Sequence, residues 1–180
     1  MSDAHKADAE LMKQVAAGNP QACRALLEAH LAPAYRLAFG IVGRADRAED
    51  IAQEAMLRLW KAAPRWQAKA KLSTWLYRVT HNLAIDEKRK LERESGTEMP
   101  EMADPAPGVI AAHAAAQDAS ALEQAIALLP ERQGIAIRLI YFEELAQAEA
   151  AEIMSITPVA LDSLVARARR GLKAHLEGMR

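Results

Sequence analysis

The chain has 180 residues, 51% hydrophobic and 26% charged, with a formal net charge of −1 and a single cysteine, Cys23. That balance is ordinary for a globular protein and allows one domain or two small ones. One cysteine excludes a disulfide framework and a Cys/His zinc module and fits a reducing, cytoplasmic compartment. The opening MSDAHKADAE has no apolar signal region, and no run approaches the roughly 18 apolar residues of a membrane span, so membrane insertion is not expected.

Ala, Leu, Glu, Gln and Arg dominate, and no stretch alternates with period two, which predicts an all-α fold. Residues 5–17 form a first amphipathic pattern. Asn19 followed by Pro20 predicts an N-cap and a proline in the first turn of the next helix. Pro33 then opens a further helix that ends near Gly40–Gly43. Asp46 and Glu49 have the spacing of a capping box leading into AEDIAQEAMLRLWKAA, which Pro64 terminates. After the loop RWQAKAK, Ser73 is placed to cap a helix over residues 72–90. About five helices are therefore expected in a first domain, residues 1–94.

The helix over 72–90, LSTWLYRVTHNLAIDEKRK, carries an apolar stripe of Leu72, Leu76, Val79 and Leu83. Trp75, Tyr77, Arg78, His81 and Asn82 occupy the remaining circumference, and Lys88, Arg89 and Lys90 crowd the end. Charge is segregated along the chain. Residues 61–90 carry a net of +6 and residues 91–130 a net of −6, so the near-neutral total does not exclude nucleic acid.

Composition shifts at SGTEMPEMADPAPG, which predicts an extended acidic linker over residues 95–109, containing three prolines. A second helical domain follows, residues 110–180, with helices expected over 110–129, 131–142, 145–154 and 157–176. In its last two, a short helix, the turn SIT, Thr157 as N-cap and Pro158 in the first turn have the layout of a helix-turn-helix. Arg167, Arg169, Arg170 and Lys173 cluster on the second of them. The histidines lie far apart, and there is no Ser/His/Asp grouping, phosphate loop or metal spacing. Hence no catalytic residue, metal or cofactor is expected, and an enzyme is the least favoured class.

Four segments in order, AEDIAQEAMLRLW, WLYRVTHNLAIDEKRK, LLPERQ and YFEELAQAEAAEI, resemble the extracytoplasmic-function (ECF) sigma factors of bacterial RNA polymerase. The resemblance runs from about Leu11 to Leu176. It implies a non-enzymatic promoter-specificity subunit whose partners are core RNA polymerase (the β′ clamp and the β subunit), promoter DNA and an anti-sigma factor. The first domain would then be sigma region 2 and the second region 4.

By that resemblance Asp50, Gln53, Glu54, Leu57, Arg58 and Trp60 face the β′ clamp, a helix face of mixed apolar and acidic character. For Leu57 and Trp60 a place in the domain core is the competing reading. Trp66, Lys69 and Lys71 would wall the pocket for an unpaired −10 base. Tyr77, Arg78, His81 and Asn82 would present the helix face, with Lys88 and Arg89 following the strand. Aromatic faces stack on bases, cations hold phosphates and an asparagine can pair with adenine; Trp75 is as readily a core residue. In the second domain the −35 contacts would come from Thr157, Asp162, Ser163, Arg167, Arg169 and Arg170. Here the chain departs from the family pattern, with Asp162, Ser163, Leu164 and Ala166 in place of Lys, Ser, Arg and His, and Ala146 in place of a hydroxyl. The alternative is a sigma mimic, which occupies an anti-sigma factor without reading a promoter.

Overall fold

The structure is a computed structural model that describes residues 3–67, 70–94 and 120–178. The expected linker and the start of the helix expected over 110–129 lie outside the described residues. Every regular element among the described residues is helical. The chain divides into two units, Met1–Ile110 and Ala111–Arg180.

The first unit contains α1 (Asp3–Ala16), α2 (Pro20–Val42), α3 (Ala45–Ala62), a 3-10 turn (Ala63–Arg65) and α4 (Leu72–Glu94). Among the described residues of this unit four α-helices stand where five were expected, because Pro33 does not open a helix. It lies inside the 23-residue α2. A proline there frees the carbonyl four residues earlier, on Ala29, which is exposed and can be hydrated. Burial on both sides of the proline holds the helix together: Ala22, Cys23 and Leu26 before it, Ala34, Tyr35, Leu37, Ala38 and Ile41 after it. The helix ends at Gly43, whose φ of 68° is the left-handed cap that glycine adopts without strain, its N–H donating to the Phe39 carbonyl. At the other end Asn19 caps as expected, its Oδ1 accepting from Gln21 N–H at 2.9 Å and Ala22 N–H at 3.3 Å.

The capping box expected from Asp46 and Glu49 does not form. Helix α3 starts one residue before Asp46, with Arg44 at the cap position. The Asp46 carboxylate instead accepts two hydrogen bonds from the Arg44 guanidinium, at 2.7 and 3.2 Å. Those bonds hold its carboxyl below the usual carboxylate range.

Ser73 is not the cap of α4 either, since the helix already includes Leu72. The Leu72 N–H donates to Asp8 Oδ2 at 2.8 Å, so α1 supplies the cap from 64 positions away. In α4 the fully buried line is Leu72, Leu76, Thr80 and Ala84, with Tyr77 beside it at 4% exposure; Val79 and Leu83 are only half-buried. The core of the unit is where this line meets Leu26 and Leu37 of α2 and Leu59 of α3, all within 1% of full burial.

The second unit contains α5 (Ser120–Ala127), α6 (Glu131–Ile137) widening into a π turn (Arg138–Phe142), α7 (Gln147–Ile153) and α8 (Pro158–Gly178). The π turn is closed by Glu143 N–H donating to the Arg138 carbonyl at 3.0 Å. Ile126, Leu129, Ile137 and Ala168 form a small core, flanked by Phe142, Val165 and Leu172. Gly171 permits the close approach of α8, since a Cβ there would lie 2.7 Å from Leu129 Cδ2.

The expected helix-turn-helix is α7–turn–α8. Thr157 Oγ1 accepts from Ala160 N–H at 3.2 Å, which is the predicted cap. At the start of α7, Glu149 Oε2 accepts from Ala146 N–H at 3.0 Å, but alanine has no oxygen to return the bond. Ala146 has the extended backbone of a cap residue, φ −60° and ψ 145°. Ala146→Ser should therefore complete the box and stabilise the second unit by about 1 kcal/mol. Urea titration of wild type and variant would show this as a raised midpoint; an unchanged or lowered midpoint refutes it.

Candidate functional site

Helix α3 turns one side to the core through Ala48, Ile51, Ala52, Ala55, Met56 and Leu59. The opposite side carries all six residues expected to meet the clamp. Asp50, Gln53 and Arg58 are exposed and Glu54 is half-buried. Leu57 and Trp60 are not core residues: they are 50% and 41% exposed, among the few large apolar side chains left open to water. The face has two halves. Leu57 and Trp60 make an apolar edge, with the Gln53 amide beside them. Opposite them Glu54 Oε1 accepts from Arg58 Nε at 2.8 Å one turn on, which lowers the Glu54 carboxyl from its ordinary value.

Helix α4 presents a different surface. Lys71, Trp75, Arg78, Asn82 and Arg89 follow one another at steps of four, three, four and seven, so they share one side of the helix. Arg78, Asn82 and Arg89 are exposed, while Lys71 and Trp75 are half-buried. His81 and Lys88 are half-buried on the flank, with His81 Nδ1 3.4 Å from Asn82 Oδ1. Tyr77 corrects the expectation of an outward aromatic. It is buried, because its position borders the line of Leu76 and Thr80 that packs into the core. Trp75 moves the other way, to the edge of the outward row.

Trp75 meets Trp66 from the preceding loop, with ring centroids 5.8 Å apart at 79°, an edge-to-face pair. Trp66 is half-buried and its Nε1 donor is enclosed without a hydrogen-bond partner. Lys69, expected beside it, lies outside the described residues. The candidate platform is thus a pair of tryptophans at the entrance of α4, followed by Arg78, Asn82 and Arg89. Arg47 Nη1 of α3 lies 3.3 Å from Glu87 Oε1 of α4, so the helix carrying the residues expected to face the clamp is tied to the one carrying the candidate platform.

On α8 the core side is Leu161 and Ala168. Thr157, Asp162, Ser163, Arg167, Arg169 and Arg170 are all exposed, and Val159 is 74% exposed. They are not equivalent. Asp162 and Arg169, seven residues apart, lie along one edge, and Arg167 lies along the other. Asp162 Oδ1 accepts a hydrogen bond from Gln147 Nε2, at the first position of α7. Both residues line a shallow cleft of about 490 Å³ that also takes in Tyr141, Leu145 and Arg169.

Two segments match known family descriptions: residues 26–94 match Sigma-70 region 2 and residues 119–172 match Sigma-70, region 4. Over 179 residues, covering 93% of this chain and 96% of the relative, the chain is 32% identical to the ECF RNA polymerase sigma factor SigW of Bacillus subtilis (strain 168). The chain belongs to the ECF sigma factors. The ECF sigma factor SigM of Mycobacterium tuberculosis (strain ATCC 25618 / H37Rv) is 28% identical over 167 residues, 93% of this chain and 83% of that relative. In fold, this sigma factor is similar to the RpoE of Bartonella quintana, solved in complex with the anti-sigma factor NepR. That match has a TM-score of 0.71 and 24% identity, over 87% of this chain and 98% of that one. It is also similar to CnrH in complex with the cytosolic domain of CnrY, at a TM-score of 0.64 and 24% identity, over 96% and 98% of the two chains.

Two contacts on these candidate faces were not anticipated from the sequence: Trp66–Trp75, although Trp75 itself was read as outward or core, and Gln147–Asp162. A signal for Trp75 was present in its spacing, three before Arg78 and seven before Asn82. Gln147 had none, since only the turn between α7 and α8 brings it to Asp162.

Proposed function

We propose that this sigma factor divides its work among the three faces described. The outer face of α3 docks on the β′ clamp of core polymerase. The Trp66–Trp75 pair and the Arg78–Asn82–Arg89 row of α4 take the unpaired −10 strand, and the exposed face of α8 lies in the major groove of the −35 duplex. Residues 1–94 and 110–180 act as regions 2 and 4, with 95–109 joining them.

The observation that carries this reading is the contrast between the outward faces of α3 and α4. Leu57 and Trp60 are open to water on α3, a cost that a docked partner removes. On α4 the open residues are cations and an amide beside an aromatic pair, the composition of a single-strand platform. As a subunit that positions polymerase, the protein has no reaction of its own in this proposal and works in the cytoplasm, where an anti-sigma factor would regulate it. Among the described residues no helix is long and apolar enough to cross a membrane.

Multi-round transcription with purified core polymerase and a promoter library tests the reading. Transcripts that need this protein and share two upstream elements are expected. Absence of such transcripts, together with tight capture of an anti-sigma factor, would replace it with the sigma-mimic reading.

A further inference from the structure

We infer that Gln147 is a specificity-determining positioning residue of the −35 reader: it holds the Asp162 carboxylate in the orientation that selects a base. The inference rests on the proposal that α8 enters the −35 major groove.

A free aspartate is a poor reader in that setting. Its side chain samples several rotamers, and near DNA the phosphates drive the carboxylate away from the groove. Here the carboxylate is not free. Gln147 Nε2 donates to Asp162 Oδ1 across the turn, from the first position of α7 to the first turns of α8. The bond engages Oδ1 and biases the orientation of the carboxylate, leaving Oδ2 as an acceptor. An oriented acceptor facing base edges is complementary to the amino group of cytosine and disfavours edges that offer only acceptors.

Gln147 is well placed to do this and little else within the fold. It is exposed and belongs to no part of the small core of Ile126, Leu129, Ile137 and Ala168. Among the cations on α8, Arg169 lies along the same edge as Asp162 and lines the same cleft, but the hydrogen bond to the carboxylate comes from Gln147; Arg167 and Arg170 sit further round the helix, where they suit phosphates. Reading head and holder thus come from different helices, and the turn between them sets the specificity.

The test uses holoenzyme reconstituted from core polymerase and full-length sigma, selecting promoters from a library randomised in the −35 element. Wild type, Gln147→Ala, Gln147→Glu, Asp162→Ala and the double variant Gln147→Ala/Asp162→Ala are compared. Wild type should favour cytosine at one position, and each single variant should lower that preference about tenfold at the same position. The double variant should be no worse than either single, because the two side chains act as one unit. Gln147→Glu should lose the preference as well, since it sets a carboxylate against a carboxylate while keeping the size of the side chain. A Gln147→Ala holoenzyme with wild-type base preference overturns the inference, and so do losses at different positions or losses that multiply in the double variant. If wild type selects no −35 bases and Arg170→Ala leaves promoter affinity and its salt dependence unchanged, the −35 reading itself fails, a result distinct from those.

Discussion

Reversing the charges of Asp50 and Glu54 together should weaken binding to core polymerase by about 2–3 kcal/mol, roughly a hundredfold in Kd. Both carboxylates lie on the open side of α3, so the reversal converts an acidic edge into a basic one where a basic clamp is expected. The fold should survive. Glu54 has one local partner, Arg58 at 2.8 Å, and turning that pair into like charges costs about 0.2–0.5 kcal/mol on a helix surface. Asp50 is exposed and sits in the second turn of α3, beyond the first turn where the helix dipole acts, so its reversal costs the fold little. Truncating Trp60 to alanine should remove a comparable amount of affinity by a different route, since a large half-exposed aromatic is the usual anchor of an interface. Sedimentation or co-purification with core separates the cases. A reversed variant that binds core like wild type while keeping its helical circular dichroism would rule out this face as the docking surface.

The second large effect is expected in promoter melting. Asn82→Ala should reduce open-complex formation by about 1–3 kcal/mol while leaving closed-complex affinity nearly unchanged, because an exposed amide on α4 has no duplex to contact until the strands part. Trp66→Ala should show the same pattern with an added loss of stability, about 0.5–1.5 kcal/mol, from breaking the edge-to-face pair with Trp75. The two variants therefore separate chemistry from folding. Asn82 has no place in the core, so a melting defect there is not a stability defect. Permanganate reactivity of −10 thymines in holoenzyme complexes is the readout, with fewer reactive thymines in both variants. Normal melting by both would remove the platform assignment.

Much of this arrangement was legible in the residues. Local signals with one physical meaning held: Asn19–Pro20 as a helix start, Pro64 as a stop, Thr157 as the cap of α8. The apolar stripe read on α4 held at Leu72 and Leu76, while Val79 and Leu83 are only half-buried. Signals that depend on what packs nearby did not. Pro33 reads locally as a breaker, yet burial before and after it keeps α2 continuous. Ser73 has the chemistry of a cap, but a carboxylate from another helix takes that role. Tyr77 is buried where an outward aromatic was expected, and Trp75, for which outward and core places were both open, is half-buried; both lie at the margins of the buried line on α4, where period alone cannot choose. The residues of the candidate site were expected from their type and order. The pairings Trp66–Trp75 and Gln147–Asp162 required the fold.

The bond from Leu72 to Asp8 also bears on how the chain is made. The leading amide of α4 is bonded by a carboxylate of α1, which precedes the stretch matching region 2, residues 26–94. A fragment cut to that match would keep every residue of the platform yet leave the entrance of α4 with its leading amide unsatisfied, next to the Trp66–Trp75 pair. During synthesis the order runs in the protein's favour, because Asp8 leaves the ribosome well before Leu72 and is waiting when the helix that needs it emerges. Helix α1 thereby becomes a template for the turn at the entrance of the candidate platform.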